Sequence, residues 1–219
     1  MPSRMLDPSG RFRSAGTIIL ATAVIFAFIA FQVAVQGPVI GVDERFARWL
    51  QQHSNPGIMQ LMFFITSLAS VPVVAALGFV SALWFSWRRQ WRQLAVLIVA
   101  LCGGKVASEL LKILFARARP SVQDAYPLPA TYSFPSGHAV DAVLLYGLLT
   151  LFWLQSNPSN RTRHLGMIAI CLLILLIGFS RLYLGVHFLS DVLGGFAFAL
   201  AWLVISLAAV RLVWSLLTE

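Results

Sequence analysis

The chain has 219 residues, 59% of them hydrophobic and only 11% charged, and a mean hydropathy of +0.82. Soluble domains carry about 25% charged residues; a soluble globule of this composition would have to hide more apolar surface than one core buries, and disorder needs the opposite composition. The formal net charge of +8, from 16 basic and 8 acidic residues, raises nucleic acid as a partner, but basic loops that orient a membrane protein explain it more simply.

A helix needs about 20 mostly apolar residues to cross the hydrocarbon layer. After a basic N-terminal segment, residues 1–14, the stretch Ala15–Val35 reads as the first span. It lacks a small-x-small cleavage site, so an uncleaved anchor is expected rather than a secretory signal. Trp49–Trp87 is free of Lys, Arg, Asp and Glu but is too long for one crossing. Asn55-Pro56-Gly57 divides it into an interfacial stretch and a long second span, Ile58 to Phe85, with a break expected near Pro72. Leu94–Phe115, Ala139–Leu154, Leu165–Leu182 and Phe188–Val210 complete six spans. The expected fold class is therefore all-α: a polytopic membrane protein with six transmembrane helices in one bundle over residues 15–215.

Six crossings put both termini on one side. Arg4, Arg11, Arg13, Arg88, Arg89, Arg92, Arg161, Arg163 and Arg211 fall on that side, mostly in short clusters. Arg45, Arg48, Lys112, Arg117, Arg119 and Arg181 fall on the other. The clustered short loops are the ones that count, so the termini are expected in the cytoplasm. Cys102 and Cys171 lie inside spans, where neither a disulfide framework nor a zinc site is indicated.

Ionisable residues at membrane depth are costly and mark function by default. Lys105, Glu109 and Lys112 follow one another at i, i+4 and i+7, on one face of the third span. They form either an ion-pair stripe that fixes helix packing or the edge of a site. Three short segments carry the remaining unusual chemistry: Lys112 to Pro120, Pro135-Ser136-Gly137-His138, and Ser180 to Asp191. The span assignment brings all three to the membrane face opposite the termini.

Lys112, Arg119 and Arg181 supply cations; an Arg fork suits phosphate oxygens, and Lys acts as a point charge. Pro135-Ser136-Gly137 precedes a helix, whose N-terminus offers free N–H groups, while Gly137 admits an anion close to the backbone and Ser136 adds a hydroxyl donor. His187 and Asp191, at i and i+4, are expected to share a helix face and touch; the carboxylate would fix the tautomer and leave the other ring nitrogen free for attack. His138, for which Asp141 at i+3 is a less certain partner, is then the general acid. One nucleophilic and one proton-donating histidine suffice for phosphoryl transfer without a metal. A zinc site would need three or four ligands clear of surrounding cations, so no metal and no cofactor are expected. His53 and His164 lie in loops without such company and are expected at the surface or the interface.

The pattern K-x6-R-P, P-S-G-H and S-R-x5-H-x3-D resembles the three-part signature of the type-2 phosphatidic acid phosphatase superfamily. Its positions here are Lys112, Arg119, Pro120, Pro135, Ser136, Gly137, His138, Ser180, Arg181, His187 and Asp191. The resemblance implies that His187 forms a phosphohistidine with Asp191 orienting it, that His138 protonates the leaving group, and that Lys112, Arg119, Ser136, Gly137 and Arg181 hold the phosphate. Pro120, Pro135, Ser180, Glu109 and Lys105 would support them. It further implies a metal-independent lipid-phosphate phosphatase of a bacterial-type inner membrane, with its site facing the periplasm or cell exterior. The implied substrates are undecaprenyl diphosphate, preferred as the commoner, phosphatidylglycerophosphate and phosphatidic acid. The loop Ser121–Phe134 is too short to build a pocket for a large head group, so lateral entry of the lipid between helices is expected. A phosphotransferase using the same site, and an anion transporter, are the competing expectations; the lipid bilayer is a partner and nucleic acid is not.

Overall fold

The structure, a computed structural model, describes residues 8–120, 131–156 and 158–217. Most of the loop Ser121–Phe134, as well as Arg4, lies outside the described residues. Helix α1 (Pro8–Ala34) carries the first span, Gly16–Ala34. Helix α2 (Pro38–Gln52) follows, then α3 (Pro56–Ser67) and α4 (Val71–Trp87), which together form the second span. The third span is α5 (Trp91–Ile98), a π turn at Val99–Gly103, and α6 (Gly104–Phe115). The fourth is α7 (Gly137–Ala142), a second π turn at Val143–Gly147, and α8 (Leu148–Leu154). Helices α9 (Asn160–Tyr183) and α10 (Leu189–Leu217) are the fifth and sixth. No strand occurs among the described residues, and six helices or helix pairs are long and apolar enough to cross a membrane.

The punctuation follows backbone chemistry. Pro38, Pro56 and Pro72 stand in the first turns of α2, α3 and α4, where proline's missing N–H costs nothing. Asn55 caps α3, its side-chain oxygen accepting from the N–H of Gly57 at 2.8 Å and of Ile58 at 3.4 Å. The break expected near Pro72 is the short turn Leu68–Ser70 between α3 and α4. In α5–α6 the π turn leaves the Val99 carbonyl able to accept the Trp202 indole N–H at 3.3 Å, tying the third span to the sixth.

The fourth span is the axis of the bundle: half of its apolar window is buried, against 17–28% for the other five. Val140, Val143, Leu144 and Leu148 pack with Val96, Leu97 and Ala100 of the third span and Ala199, Leu203 and Val210 of the sixth. Large apolar residues such as Phe28, Phe79, Leu114 and Leu216 remain exposed around the outside, as a lipid-facing surface requires. In a bilayer, close packing and polar contacts hold helices together, because lipid tails are as apolar as leucine.

One element departs from the expectation. The stretch ahead of Asn55 contains a full amphipathic helix, α2, beginning at Pro38 rather than a short interfacial run from Trp49. It turns Asp43 and Leu50 inward and leaves Glu44, Arg45 and Arg48 exposed. Leu50 joins Met62, Leu182, Tyr183, Leu184 and Val186 in a second cluster directly beneath the segments described next.

Candidate active site

Three chain segments converge at one end of the bundle. Ala116 takes a left-handed conformation, φ 44°, and ends α6, a position more often held by glycine. The turn swings Arg117 and Arg119 back over the bundle. The Arg119 guanidinium donates to the Val186 carbonyl at 2.8 Å and lies 3.2 Å from His187 Nε2, while its other nitrogens hold the Thr131 and Tyr132 carbonyls. The segment before α7 is fixed to the start of α10 by the Ser136 N–H, which donates to the Asp191 carbonyl at 3.0 Å. Gly195 permits that approach: a Cβ there would stand 2.9 Å from the Ser136 carbonyl oxygen.

Around this point the charges are ordered by their partners. Glu109 accepts from Lys112 at 2.7 Å and lies 3.6 Å from Lys105, so the stripe expected on the third span exists. Lys112 is buried, yet its Nζ would be only 3.2 Å from a Cβ placed on Gly137. Lys105 also reaches Asp141 at 3.5 Å. Asp141, considered as a partner for His138, therefore serves Lys105, and among the described residues no side chain hydrogen-bonds the His138 ring. The Ser136 hydroxyl is buried without a hydrogen-bond partner among the described residues. A buried donor left unsatisfied is costly, and this one adjoins the first turn of α7, whose N–H groups also lack helical partners. Arg181 is buried and donates to the Thr66 hydroxyl at 2.7 Å.

His187 and Asp191 meet by a different route from the one expected. His187 lies in the bend before α10, not on a helix face. The chain turns there because Asp191, in the first turn of α10, reaches back to accept the Phe188 N–H at 2.8 Å, the half of a capping box that a carboxylate supplies. That places its Oδ2 at 3.5 Å from His187 Nδ1, with the Ser133 hydroxyl bridging both groups. Arginine has no acceptor, so Nε2, facing Arg119, carries the lone pair and Nδ1 carries the proton. Burial, reinforced by the Arg181 and Arg119 charges, holds the imidazole down to about 4 against the opposing pull of Asp191. At neutral pH the ring is uncharged and its Nε2 lone pair faces the Arg119 guanidinium.

Other expected positions sit at the edge. Ser180 turns its hydroxyl to the Ile177 carbonyl at 2.6 Å, so it closes its own helix rather than facing the site. Pro120 and Pro135 are buried beside the arginines and Ser136. His53 and His164 are exposed. Three residues not singled out from sequence join the site: Asp43, Arg117 and Ser133, all buried. Arg117 lies inside the Lys112 to Pro120 segment without being a signature position. Asp43 could have been noticed as a charge sharing the inner face of an amphipathic helix with Leu50. Among the described residues no three His, Cys, Asp or Glu side chains are grouped to hold a metal ion.

Two openings flank this region. A polar cavity of 520 Å³ lies between the end of α1, α2 and the 116–120 turn, with Gln36, Glu44, Arg48, Arg117 and Arg119 in its wall. An apolar groove of 520 Å³ between α4 and the third span is lined by Val71, Val74, Leu97 and Leu101, with Lys105 and Asp141 also in its wall.

Comparison with known proteins agrees with the geometry. The family model described as the PAP2 superfamily matches residues 93–215. The chain is 33% identical over 170 residues, 74% of its length and 80% of the relative's, to phosphatidylglycerophosphatase B of Bacillus subtilis (strain 168). It is 31% identical over 154 residues, 68% and 72% of the two chains, to undecaprenyl-diphosphatase BcrC of the same organism. Among solved structures, a transmembrane PAP2-type phosphatidylglycerolphosphate phosphatase from Bacillus subtilis superposes with a TM-score of 0.74 at 26% identity, over 90% of this chain and 96% of that one.

Proposed function

The chain belongs to the PAP2 superfamily, and on that premise we propose that it removes phosphate from a membrane lipid phosphate through a phosphohistidine on His187. The observation that carries the proposal is the orientation of one ring. Nε2 of His187 bears its lone pair toward Arg119 while Nδ1 faces Asp191, so the nucleophilic atom lies where a phosphate oxygen would meet the cations.

The chemistry follows in two displacements. His187 Nε2 bonds to phosphorus as the bond to the lipid oxygen breaks, and a protonated His138 gives that oxygen its proton. The imidazole, now positive, keeps its Nδ1 proton directed at Asp191. Neutral His138 then takes a proton from water as the water oxygen attacks phosphorus, the P–N bond breaks, and inorganic phosphate leaves. Lys112, Arg119, Arg181, the Ser136 hydroxyl and the Gly137 N–H carry the charge that builds on the equatorial oxygens, usually the largest single catalytic contribution. These cations repel a metal ion, so the reaction is metal-independent in this account. Lys105 and Glu109 hold Lys112 in place.

The basic side of the chain carries the termini, so the site faces the periplasm or exterior of a bacterial-type inner membrane. The apolar groove with Lys105 in its wall supports a substrate whose tails stay in the bilayer while its phosphate reaches the cations. The names of the relatives direct the choice of two substrates to test, undecaprenyl diphosphate and phosphatidylglycerophosphate, and the motif resemblance adds phosphatidic acid.

Purified protein in detergent is expected to release inorganic phosphate from at least one of these three lipids with EDTA present. His187→Ala is expected to lose on the order of 10³-fold or more in kcat. Mass analysis of the lipid product separates hydrolysis from transfer to a second lipid. Absence of phosphate release from all three, abolition by EDTA, or undiminished turnover by His187→Ala contradicts the proposal.

A further inference from the structure

The buried acidic residue of α2 has no place in the mechanism above, although it is one contact away from the nucleophile's partner. Asp43 is 1% exposed. Its Oδ2 accepts from Arg117 Nη2 at 2.7 Å, and its Oδ1 accepts from the Ser190 N–H at 2.9 Å. The other end of the same guanidinium donates to Asp191 Oδ1 at 2.6 Å and to the Ser190 hydroxyl at 2.7 Å, and its face lies 4.4 Å from the centre of the Phe188 ring. Arg117 is thus held by two carboxylates, one from the interfacial helix and one from α10.

We infer that Asp43 is a positioning residue, which balances and orients Arg117 so that Asp191 keeps its negative charge for His187. The charge count is the reason. An arginine beside Asp191 alone would form a neutral buried pair, leaving nothing to stabilise the imidazolium that forms when His187 takes phosphorus. Arginine does not lose its proton in proteins, so its charge can be offset only by a second carboxylate. Asp43 supplies that offset, and the cluster of Asp43, Arg117 and Asp191 retains one net negative charge. The geometry divides Asp191 accordingly: Oδ1 goes to Arg117, while Oδ2 takes the Phe188 N–H and the Ser133 hydroxyl and faces His187. Two carboxylates also clamp the guanidinium at both ends, so it cannot rotate toward Oδ2. Because α2 carries Asp43, its docking on the bundle becomes a condition for a competent nucleophile.

The inference rests on the phosphohistidine proposal, and its test separates the two. The full chain in detergent is compared as wild type, Asp43→Asn, Arg117→Gln, the double variant D43N/R117Q, and His187→Ala, with kcat and KM on a lipid phosphate the wild type hydrolyses. Asp43→Asn keeps the shape but exchanges one accepting oxygen for an NH2 donor and leaves Arg117 unbalanced; it is expected to lower kcat about 10²-fold with KM changed less than about 3-fold, the signature of a contact that matters in the transition state. The double variant removes both charges and restores the net charge at Asp191, so its kcat is expected to recover to within about 10-fold of wild type, a non-additivity that only coupled groups show. A purely structural role for Asp43 gives a double variant as slow as, or slower than, Asp43→Asn, and that result overturns the inference. So does wild-type kcat in Asp43→Asn when His187→Ala is inactive. If Asp43→Asn is not recovered as monodisperse protein, the double variant decides alone: kcat within about 10-fold of wild type supports the inference, and a loss approaching that of His187→Ala overturns it. Undiminished turnover by His187→Ala overturns the phosphohistidine mechanism instead.

Discussion

Burial gives His187 a charge state that can be read from the outside. A histidine in the unfolded chain titrates near 6.5, whereas this imidazole is held down to about 4, chiefly by burial. Two consequences follow. The neutral nucleophile persists well below neutrality, so the acid limb of kcat/KM assigned to His187 is expected near pH 4 and not between 6 and 7; a profile of kcat/KM from pH 3 to 8 checks it. The folded value lies below the unfolded one, so between about 6.5 and about 4 the unfolded chain binds more protons. Stability present above the unfolded value is therefore lost as pH falls through that window, and thermal unfolding followed over the same range should show the decline. An acid limb near 6.5 would mean that the ring is solvated and that Asp191 and Arg119 do not shape it.

At the scale of the element, the turn from α2 into α3 fixes how the interfacial helix sits on the bundle. Asn55 caps α3 through its side chain, and its N–H donates to the Tyr183 hydroxyl at 2.7 Å. Asn55→Ala removes the side-chain acceptor and is expected to cost about 1 kcal/mol. That corresponds to a fall of about 2–4 °C in Tm for a chain of this size, with kcat unchanged at 25 °C. An unchanged Tm would show that the cap is redundant with the Pro56 start. The same turn illustrates what the sequence revealed. Asn55-Pro56 announced a helix start because both residues act through local backbone chemistry. Asp43 did not announce itself, because Asp43-Glu44-Arg45 reads as a solvated polar face until α2 docks and buries one of the three. Ser133 was silent for the same reason: its bonds to Asp191 and His187 span more than fifty positions. The His187–Asp191 contact was expected from i, i+4 spacing, and the two groups do meet, but through a bend closed by the Phe188 N–H rather than along a helix face.

For the whole molecule, scarcity of charge made the architecture legible. Spans appear wherever apolar residues run long enough to cross a bilayer, so the six candidates and the break near Pro72 could be placed from hydropathy and proline alone. The +8 that first suggested nucleic acid separates into arginines clustered in the terminal segments and short loops and a second group around Lys112, Arg119 and Arg181. Sequence could not foretell the π turns of the third and fourth spans, since they depend on how those helices pack against each other and against Trp202. The phosphohistidine proposal is that the bundle brings His187 to a cationic pocket, where it takes phosphorus from a lipid. Its most direct test is rapid mixing with a lipid phosphate carrying radiolabelled phosphorus, quenching in alkaline denaturant where phosphohistidine survives, and mass spectrometry of the peptides. The expected result is label on His187 in the wild type and none in His187→Ala. Turnover with no labelled protein, or label on any residue other than His187, would contradict it.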